Sequence, residues 1–337
     1  MKMGRRNANS FLHASFLVAL LLIGLWFSVS PASAQVEPTE EVVTNLAEGR
    51  VIICVAKDGI VVATMASQSE AGSVAPVVIP IAALRAGVLL GAVEWIHPST
   101  GKAPVRLDGE LHGLAIAALN NSSAANNPFA ASDLESIGVA VLERVRALAE
   151  QFHGKINLGE NAPLIRLVLA SYVPRYGPDV WTLDHPIHQE SLGNGYYLTR
   201  VLRPRYTQLY PPEKGQPHTL IEVQYPPASR FKQGPELLDL LRGKDPRLAA
   251  IGASDEKVEK ALALVVEGES QKSEAAADAE FLRAAIPAVA GPAAKMSMVN
   301  IDFENGYQWV VEPPAAERPP EAPHEPGAPT LHRKPAG

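Results

Sequence analysis

The most regular hydrophobic pattern in the chain is a pair of apolar runs joined by a short polar turn. Residues 51–56 and 60–65 flank the tripeptide Lys57-Asp58-Gly59. Asp-Gly between two β-rich runs is typical of a tight turn, so the pattern predicts a hairpin. Neither run alternates apolar with polar positions, which indicates strands that are covered on both faces.

Other apolar, β-rich runs follow the same pattern. They predict a second hairpin that turns at 83–85, a strand pair around the Gly-Pro turn at 177–178, and a closing hairpin around Asn305-Gly306. The runs are 77–81, 86–93, 164–173, 180–183, 298–303 and 307–311. Residues 196–202 and 220–225 predict single strands between them.

Helical periodicity is clearest after residue 131. Ser132 and Glu135 have the spacing of a capping box, and the apolar residues that follow fall on one helical face. These residues are Leu134, Ile137, Val141, Val145, Leu148 and Phe152. Shorter helices are predicted at 107–119, 235–242, 255–266 and 275–285, with a polar loop at 120–127.

The start of the chain has the three parts of a secretory signal. Basic residues at the N-terminus precede the apolar run 16–29, and Ala32-Ser33-Ala34 then stand before Gln35. The apolar run is shorter than the roughly 20 residues that a membrane-spanning helix needs. The pattern therefore predicts a signal peptide over 1–34, cleavage between Ala34 and Gln35, and export by the Sec route to the periplasm or the medium.

Charge and composition narrow the class of partner. The chain has 30 Lys and Arg against 36 Asp and Glu, and loss of Lys2, Arg5 and Arg6 with the signal changes its net charge from −6 to −9. An acidic protein is a poor binder of nucleic acid or anionic membranes. Prolines crowd 203–235 and 312–337, which predicts surface insertions and a disordered tail around a single domain at 49–311, after a leader segment at 35–48.

The order of these elements resembles proteasome core-particle subunits and the wider N-terminal-nucleophile hydrolase fold. The similar segments are the hairpin 55–63, Ile79-Pro80-Ile81 with Gly91, residues 169–172 and 177–184, and the turn Asn305-Gly306. The resemblance implies an α+β fold. Its expected architecture is a four-layer αββα sandwich, with two antiparallel sheets between outer helices.

The same resemblance implies where catalytic groups would stand. The nucleophile's position falls at about Gly49, the aspartate's on Met65 and the lysine's at about Val77. None of these side chains can carry a proton or attack a carbonyl, and neighbouring Thr64 or Arg50 would not complete the set. We therefore predict no catalytic residue. The alternative is an amide hydrolase activated by processing near 44–50, for example with Thr44 as the new N-terminus.

Two other chemical hypotheses concern single segments. Cys54 lies inside an apolar strand, where burial as a core residue is expected rather than service as a nucleophile. His185, His188 and Glu190 could ligate a metal, but Pro186 predicts a polar loop whose side chains face solvent. We predict no metal and no cofactor.

Aromatic and basic residues are interleaved between 196 and 233. Such residues anchor protein interfaces, although alternating Tyr and Arg also mark strands with one buried face. The candidate partner surface comprises Arg203, Arg205, Tyr206 and Tyr210. The first functional hypothesis is a non-catalytic module that binds another protein or a second copy of itself.

Overall fold

The structure is a computed structural model, and it describes part of the chain. The described residues are 43–66, 73–96, 103–121, 131–152, 154–156, 158, 162–173, 177–193, 195–210, 219–226, 274–290 and 294–314. The predicted signal peptide with its Ala34-Gln35 site, the predicted helices at 235–242 and 255–266, and the tail beyond Pro314 lie outside them. In the ranges described, no helix is long and apolar enough to cross a membrane.

Strands dominate the described residues, together with three helices. The strands are β1 (Val43–Ala47), β2 (Gly49–Val55), β3 (Gly59–Ala66), β4 (Ser73–Val74), β5 (Val78–Ala82), β6 (Arg85–Ile96), β7 (Val105–Arg106), β8 (Ile165–Val173), β9 (Gly177–His185), β10 (Ile187–Gly193), β11 (Tyr196–Val201), β12 (Arg205–Tyr210), β13 (Thr219–Tyr225), β14 (Lys295–Asp302) and β15 (Gly306–Val311). The helices are α1 (Leu107–Asn121), α2 (Ala131–Gln151) and α3 (Glu274–Ala290). The α+β class is confirmed.

The strands form one eight-stranded sheet, one five-stranded sheet and a two-stranded ribbon. The larger sheet has the order β12-β9-β8-β6-β1-β4, with β5 and β7 also paired to β6, and the smaller has the order β13-β2-β3-β14-β15. Strands β10 and β11 form the ribbon. The predicted hairpins β2/β3, β5/β6 and β14/β15 and the predicted pair β8/β9 are all present.

Three apolar clusters explain why the central strands are apolar on both faces. One cluster joins the eight-stranded sheet to α1 and α2, with Trp95 and Phe152 rings 5.3 Å apart. A second joins the two sheets to each other, and a third joins the five-stranded sheet to α3. Every residue of β3 is consequently buried, as its unbroken apolar run predicted.

The helices follow the predicted faces with small differences at their ends. Ile137, Val141 and Leu148 of α2 are fully buried against the larger sheet. Helix α1 reaches Asn121 and so enters the segment 120–127 that was predicted as a loop. Helix α3 begins at Glu274, one residue before its predicted start, and continues past 285.

Two expectations about loops were wrong. Residues 205–210, within the predicted insertion 203–235, form β12, and the predicted loop around Pro186 consists of the end of β9 and the start of β10. Pro204 directly precedes β12, which lies at the edge of its sheet, where proline is tolerated beside a strand. Prolines therefore interrupt strands here without excluding them.

The chain from β9 to β12 forms what we term the interrupted hairpin, residues 177–210. Its outer half pairs as the β10/β11 ribbon, and its inner half pairs as β9/β12 within the larger sheet. The amide of Leu202 donates to the carbonyl of Pro186 at 2.9 Å, which joins the two halves. A strand also lies in the predicted leader 35–48, because β1 pairs with β6 from Val43 onward.

Candidate functional site

The position that the resemblance assigns to a nucleophile lies inside the chain and is tightly enclosed. Gly49 begins β2 directly after Glu48, which links it to β1 in the other sheet. A Cβ atom built on Gly49 would lie 2.4 Å from the carbonyl oxygen of Met65 and 3.1 Å from Cγ of Pro76. Real Cβ atoms essentially never approach another atom this closely. The position therefore has no room for a side chain.

The neighbouring hydroxyl groups serve packing between the two sheets. The side-chain oxygens of Thr64 and Ser297 lie 2.7 Å apart, and the amide of Val78 donates to Ser297 Oγ at 2.9 Å. Thr64 and Ser297 are almost completely buried. Val78 belongs to the larger sheet and both hydroxyls to the smaller one, so the bond from Val78 connects the sheets, and the bond between the hydroxyls satisfies buried polar groups within the smaller sheet.

The residues that a shifted alignment would offer are engaged elsewhere. Arg50 donates to Glu222 on β13 at 2.8 Å. Thr44 lies on β1, where it pairs with Trp95 of β6 in the larger sheet. Arg50 and Thr44 therefore belong to different sheets, and each already contributes to strand pairing or to an ion pair.

Cys54 is buried on the face of β2 that contacts α3. Its thiol donates to Asp278 Oδ2 at 3.2 Å. Burial, followed by the charge of Asp278 and this hydrogen bond, raises the pKa of the Cys54 thiol well above its usual value. A thiol held in its neutral form is a weak nucleophile, so the arrangement supports the predicted core role.

The proposed metal ligands do not converge. His185 is fully buried, and its Nε2 lies 3.3 Å from the carbonyl oxygen of Gly138 on α2. His188 and Glu190 are exposed on the ribbon. In the part of the chain that is described, no three His, Cys, Asp or Glu side chains are grouped to hold a metal ion. Desolvation lowers the pKa of His185, which favours a neutral imidazole.

One polar link between the sheets was missed by sequence reasoning. Arg166 on β8 donates to both carboxylate oxygens of Asp184 on β9, at 2.6 and 2.7 Å, and to the carbonyl of Gln224 on β13 at 3.0 Å. The hydrogen bonds to Asp184 raise the pKa of the Arg166 guanidinium. This two-pronged geometry orients β13 beneath β8 and leaves the guanidinium committed to structure.

The four residues of the predicted partner surface divide into two pairs. Tyr206 packs against α2, where its hydroxyl stands 2.4 Å from the place a Cβ on Gly138 would occupy, and burial raises its pKa. Tyr210 is half-buried beside the cluster between the sheets. Arg203 and Arg205 are exposed. Both tyrosines thus have packing contacts, although Tyr206 is still 38% exposed, and both arginines lie at the surface.

Three exposed leucines on the ribbon or directly after it were not predicted. Leu192 is 63% exposed, and Leu198 and Leu202 are 38% and 43% exposed. The available signals were the Gly193-Asn194-Gly195 motif, typical of a tight turn, and the β-rich run at 196–202. They indicate a hairpin but not which of its side chains face outward.

Comparison of the chain with protein-family models found no match, and comparison with curated proteins found none either.

Proposed function

We propose that this protein is an exported, non-catalytic domain of proteasome-like fold that acts as a binding or assembly module. The predicted signal peptide supports export, and the acidic charge of the chain disfavours polyanions as partners. The proposed partner is a protein, either another chain or a second copy.

The three apolar clusters support the four-layer arrangement within this proposal. Helices α1 and α2 cover one sheet, the sheets share an apolar interface, and α3 packs on the other sheet. We infer the layer order helix, sheet, sheet, helix from these contacts. This is the architecture that the resemblance to proteasome subunits implies.

The enclosed position of Gly49 is the main support for the proposed absence of catalysis. An N-terminal nucleophile needs a side chain and a free amine at one residue. At Gly49 the carbonyl of Met65 occupies the space that a side chain would need. The adjacent Thr64 and Ser297 hydroxyls are buried in hydrogen bonds of their own.

An activity assay with a defined N-terminus tests the proposal. Protein produced with its signal peptide is purified after export, its first residue is determined by mass spectrometry, and it is incubated with amide and peptide substrates. We expect Gln35 as the first residue and no turnover. We also expect a complex larger than the monomer, either with another protein or with a second copy.

The hydrolase alternative predicts a different result in the same assay. Processing would leave a Ser, Thr or Cys near residues 44–50 at the N-terminus, and turnover would depend on that cleavage. Turnover by such a species would overturn the proposal. A monomer for which no protein partner is found would also count against it.

A further inference from the structure

We propose that the outer face of the ribbon and the edge of β12 with which no described strand pairs bind an extended, acidic peptide segment with apolar side chains. This inference rests on the proposed function, because it identifies the partner chemistry of a binding module. The ligand surface comprises Leu198, Arg200, Leu202, Arg203 and Arg205.

The two faces of the ribbon have different roles. On the inner face, Arg146 of α2 donates twice to the carbonyl of Val201 at 3.1 Å, and Lys155 Nζ lies 5.9 Å from the centre of the Tyr197 ring. On the outer face, Arg200 stands opposite His188 and Leu198 opposite Glu190, and all four side chains are exposed. These inner contacts join the ribbon to the domain and leave its outer face accessible.

The arginines of this surface differ from most others that the structure describes. Six described arginines donate to a carboxylate, hydroxyl or carbonyl group: Arg50, Arg85, Arg106, Arg144, Arg146 and Arg166. Arg200, Arg203 and Arg205 have no such acceptor among the described residues, and they lie within one short stretch of chain. On a chain of net charge −6, this cluster is a local positive surface suited to carboxylates.

The leucines add an apolar component next to that charge. Leu198 and Leu202 flank Arg200 on the outer side of the ribbon. Apolar side chains exposed together mark sites of protein contact more often than single exposed ones. A ligand that satisfies both features carries acidic and apolar residues together.

The edge of β12 favours an extended ligand. β12 is the terminal strand of its sheet, and no described strand pairs with its second edge. Residues 205–208 of this edge strand are all exposed. An unpaired edge presents backbone donors and acceptors that an extended peptide can use as an added strand.

An anionic membrane or a nucleic acid would also attract arginines, but the surface fits a peptide better. Only a peptide uses the backbone groups of a strand edge, and the net negative charge of the whole chain opposes approach to an extended polyanion. The experiment must therefore distinguish binding of a peptide from binding of a membrane or a nucleic acid.

Fluorescence anisotropy with synthetic probes tests the proposal on the exported protein. The first probe is a labelled octapeptide of alternating Val and Glu. The controls are the same peptide with Lys in place of Glu, the same peptide N-methylated along one edge, a labelled DNA oligonucleotide, and vesicles that contain phosphatidylserine. We expect binding of the Val/Glu probe alone, weakened by added salt.

Paired variants locate the site. Arg203→Glu and Arg205→Glu should each weaken binding about fivefold, whereas Arg283→Glu, which changes another exposed arginine on α3, should not. Leu198→Ser should weaken it about threefold, and Ile116→Ser, at an exposed position of α1, should leave it unchanged. Circular dichroism of each variant verifies that it is folded.

Several results would overturn the inference. They are equal binding of the Lys probe or the N-methylated probe, binding of vesicles or DNA instead of the acidic peptide, no binding of the acidic peptide, and variants of the ribbon that bind like the wild type. Each of these leaves the proposed function intact if the protein is inactive and forms a complex through another surface. Peptidase turnover would instead refute the proposed function, whatever the probes show.

Discussion

The surroundings of Gly49 and the interrupted hairpin show two opposite uses of β-structure in this molecule. At Gly49, strand ends are closed by the carbonyl of Met65 and by the buried hydroxyls of Thr64 and Ser297. In the interrupted hairpin, polar and apolar side chains of β10 to β12 face outward. Strand packing therefore closes the position that the resemblance assigns to a nucleophile, whereas the polar groups of the interrupted hairpin are accessible.

The largest effect is expected at Gly49. We refer to Gly49, Thr64, Met65 and Ser297 as the closed region, and the first variant adds one methyl group to it. Gly49→Ala places a Cβ against the backbone at Met65, which cannot move as freely as a side chain, and should destabilise the protein by about 3 kcal/mol. Gly113→Ala is the matched control, because Gly113 is exposed in α1 with no atom near its added Cβ. Denaturant unfolding measures both. Equal stability of Gly49→Ala and the wild type would show that the region is open.

Removing a hydroxyl from the same region should have the next largest effect. Ser297→Ala deprives the buried Val78 amide of its side-chain acceptor and Thr64 of one of its partners, and should lower the free energy of unfolding by about 2 kcal/mol. Ser191→Ala removes an exposed hydroxyl from the ribbon and should change it by less than about 0.5 kcal/mol. If both variants behaved alike, the contrast between buried and exposed regions would fail.

The next prediction concerns how the free energy of unfolding depends on pH. The group involved is His185, which lies at the end of β9 beneath α2. Burial lowers the pKa of His185 below 6.5, so the unfolded chain binds this proton more readily than the folded one. Stability should be constant with respect to this group above about pH 6.5, and should fall below it by up to about 1.4 kcal/mol per pH unit until the folded pKa is reached.

The comparison of two histidine variants isolates this contribution. His185→Gln should remove the added slope, whereas His188→Gln, on the exposed ribbon face, should retain it. Urea unfolding at several pH values gives the slopes. An unchanged slope in His185→Gln would show that other groups cause the pH dependence.

The smallest effect concerns how firmly Tyr206 is held. Gly138→Ala should displace the Tyr206 ring in the wild type, because the new methyl meets its hydroxyl. In a Tyr206→Ala background the same change should stabilise α2 by about 0.5–1 kcal/mol through helix propensity. A double-mutant cycle should give a coupling of about 1 kcal/mol. A coupling near zero would mean that Tyr206 is free to contact a partner.

Local sequence patterns predicted the hairpins of the central strands and the long helix α2 well. The turns at Asp58-Gly59 and Asn305-Gly306 and the apolar face of α2 were identified because neighbouring residues in sequence fix them. The interrupted hairpin was predicted only in part. The runs 180–183 and 196–202 predicted β9 and β11, whereas β10 and β12 follow Pro186 and Pro204, contain several polar residues, and were read as loops.

The candidate chemical groups also divide into those that the sequence could assign and those that it could not. Sequence reasoning excluded a nucleophile at Gly49 and placed Cys54 in the core, since both conclusions depend on residue type and strand pattern. It could not show that Asp278 accepts a hydrogen bond from the Cys54 thiol across 224 positions of chain, or that Arg166 joins β9 and β13. Such contacts depend on which elements pack together.

By itself the amino-acid sequence determined which segments are buried strands and helices, because turn residues and hydrophobic periodicity act over a few neighbours. Only the tertiary structure decided which polar residues are used internally and which face solvent. His185 and His188 are three residues apart, yet His185 is fully buried against α2 and His188 is exposed. The physical reason is that burial of a side chain is set by the element packed against it, and that element is distant in the chain.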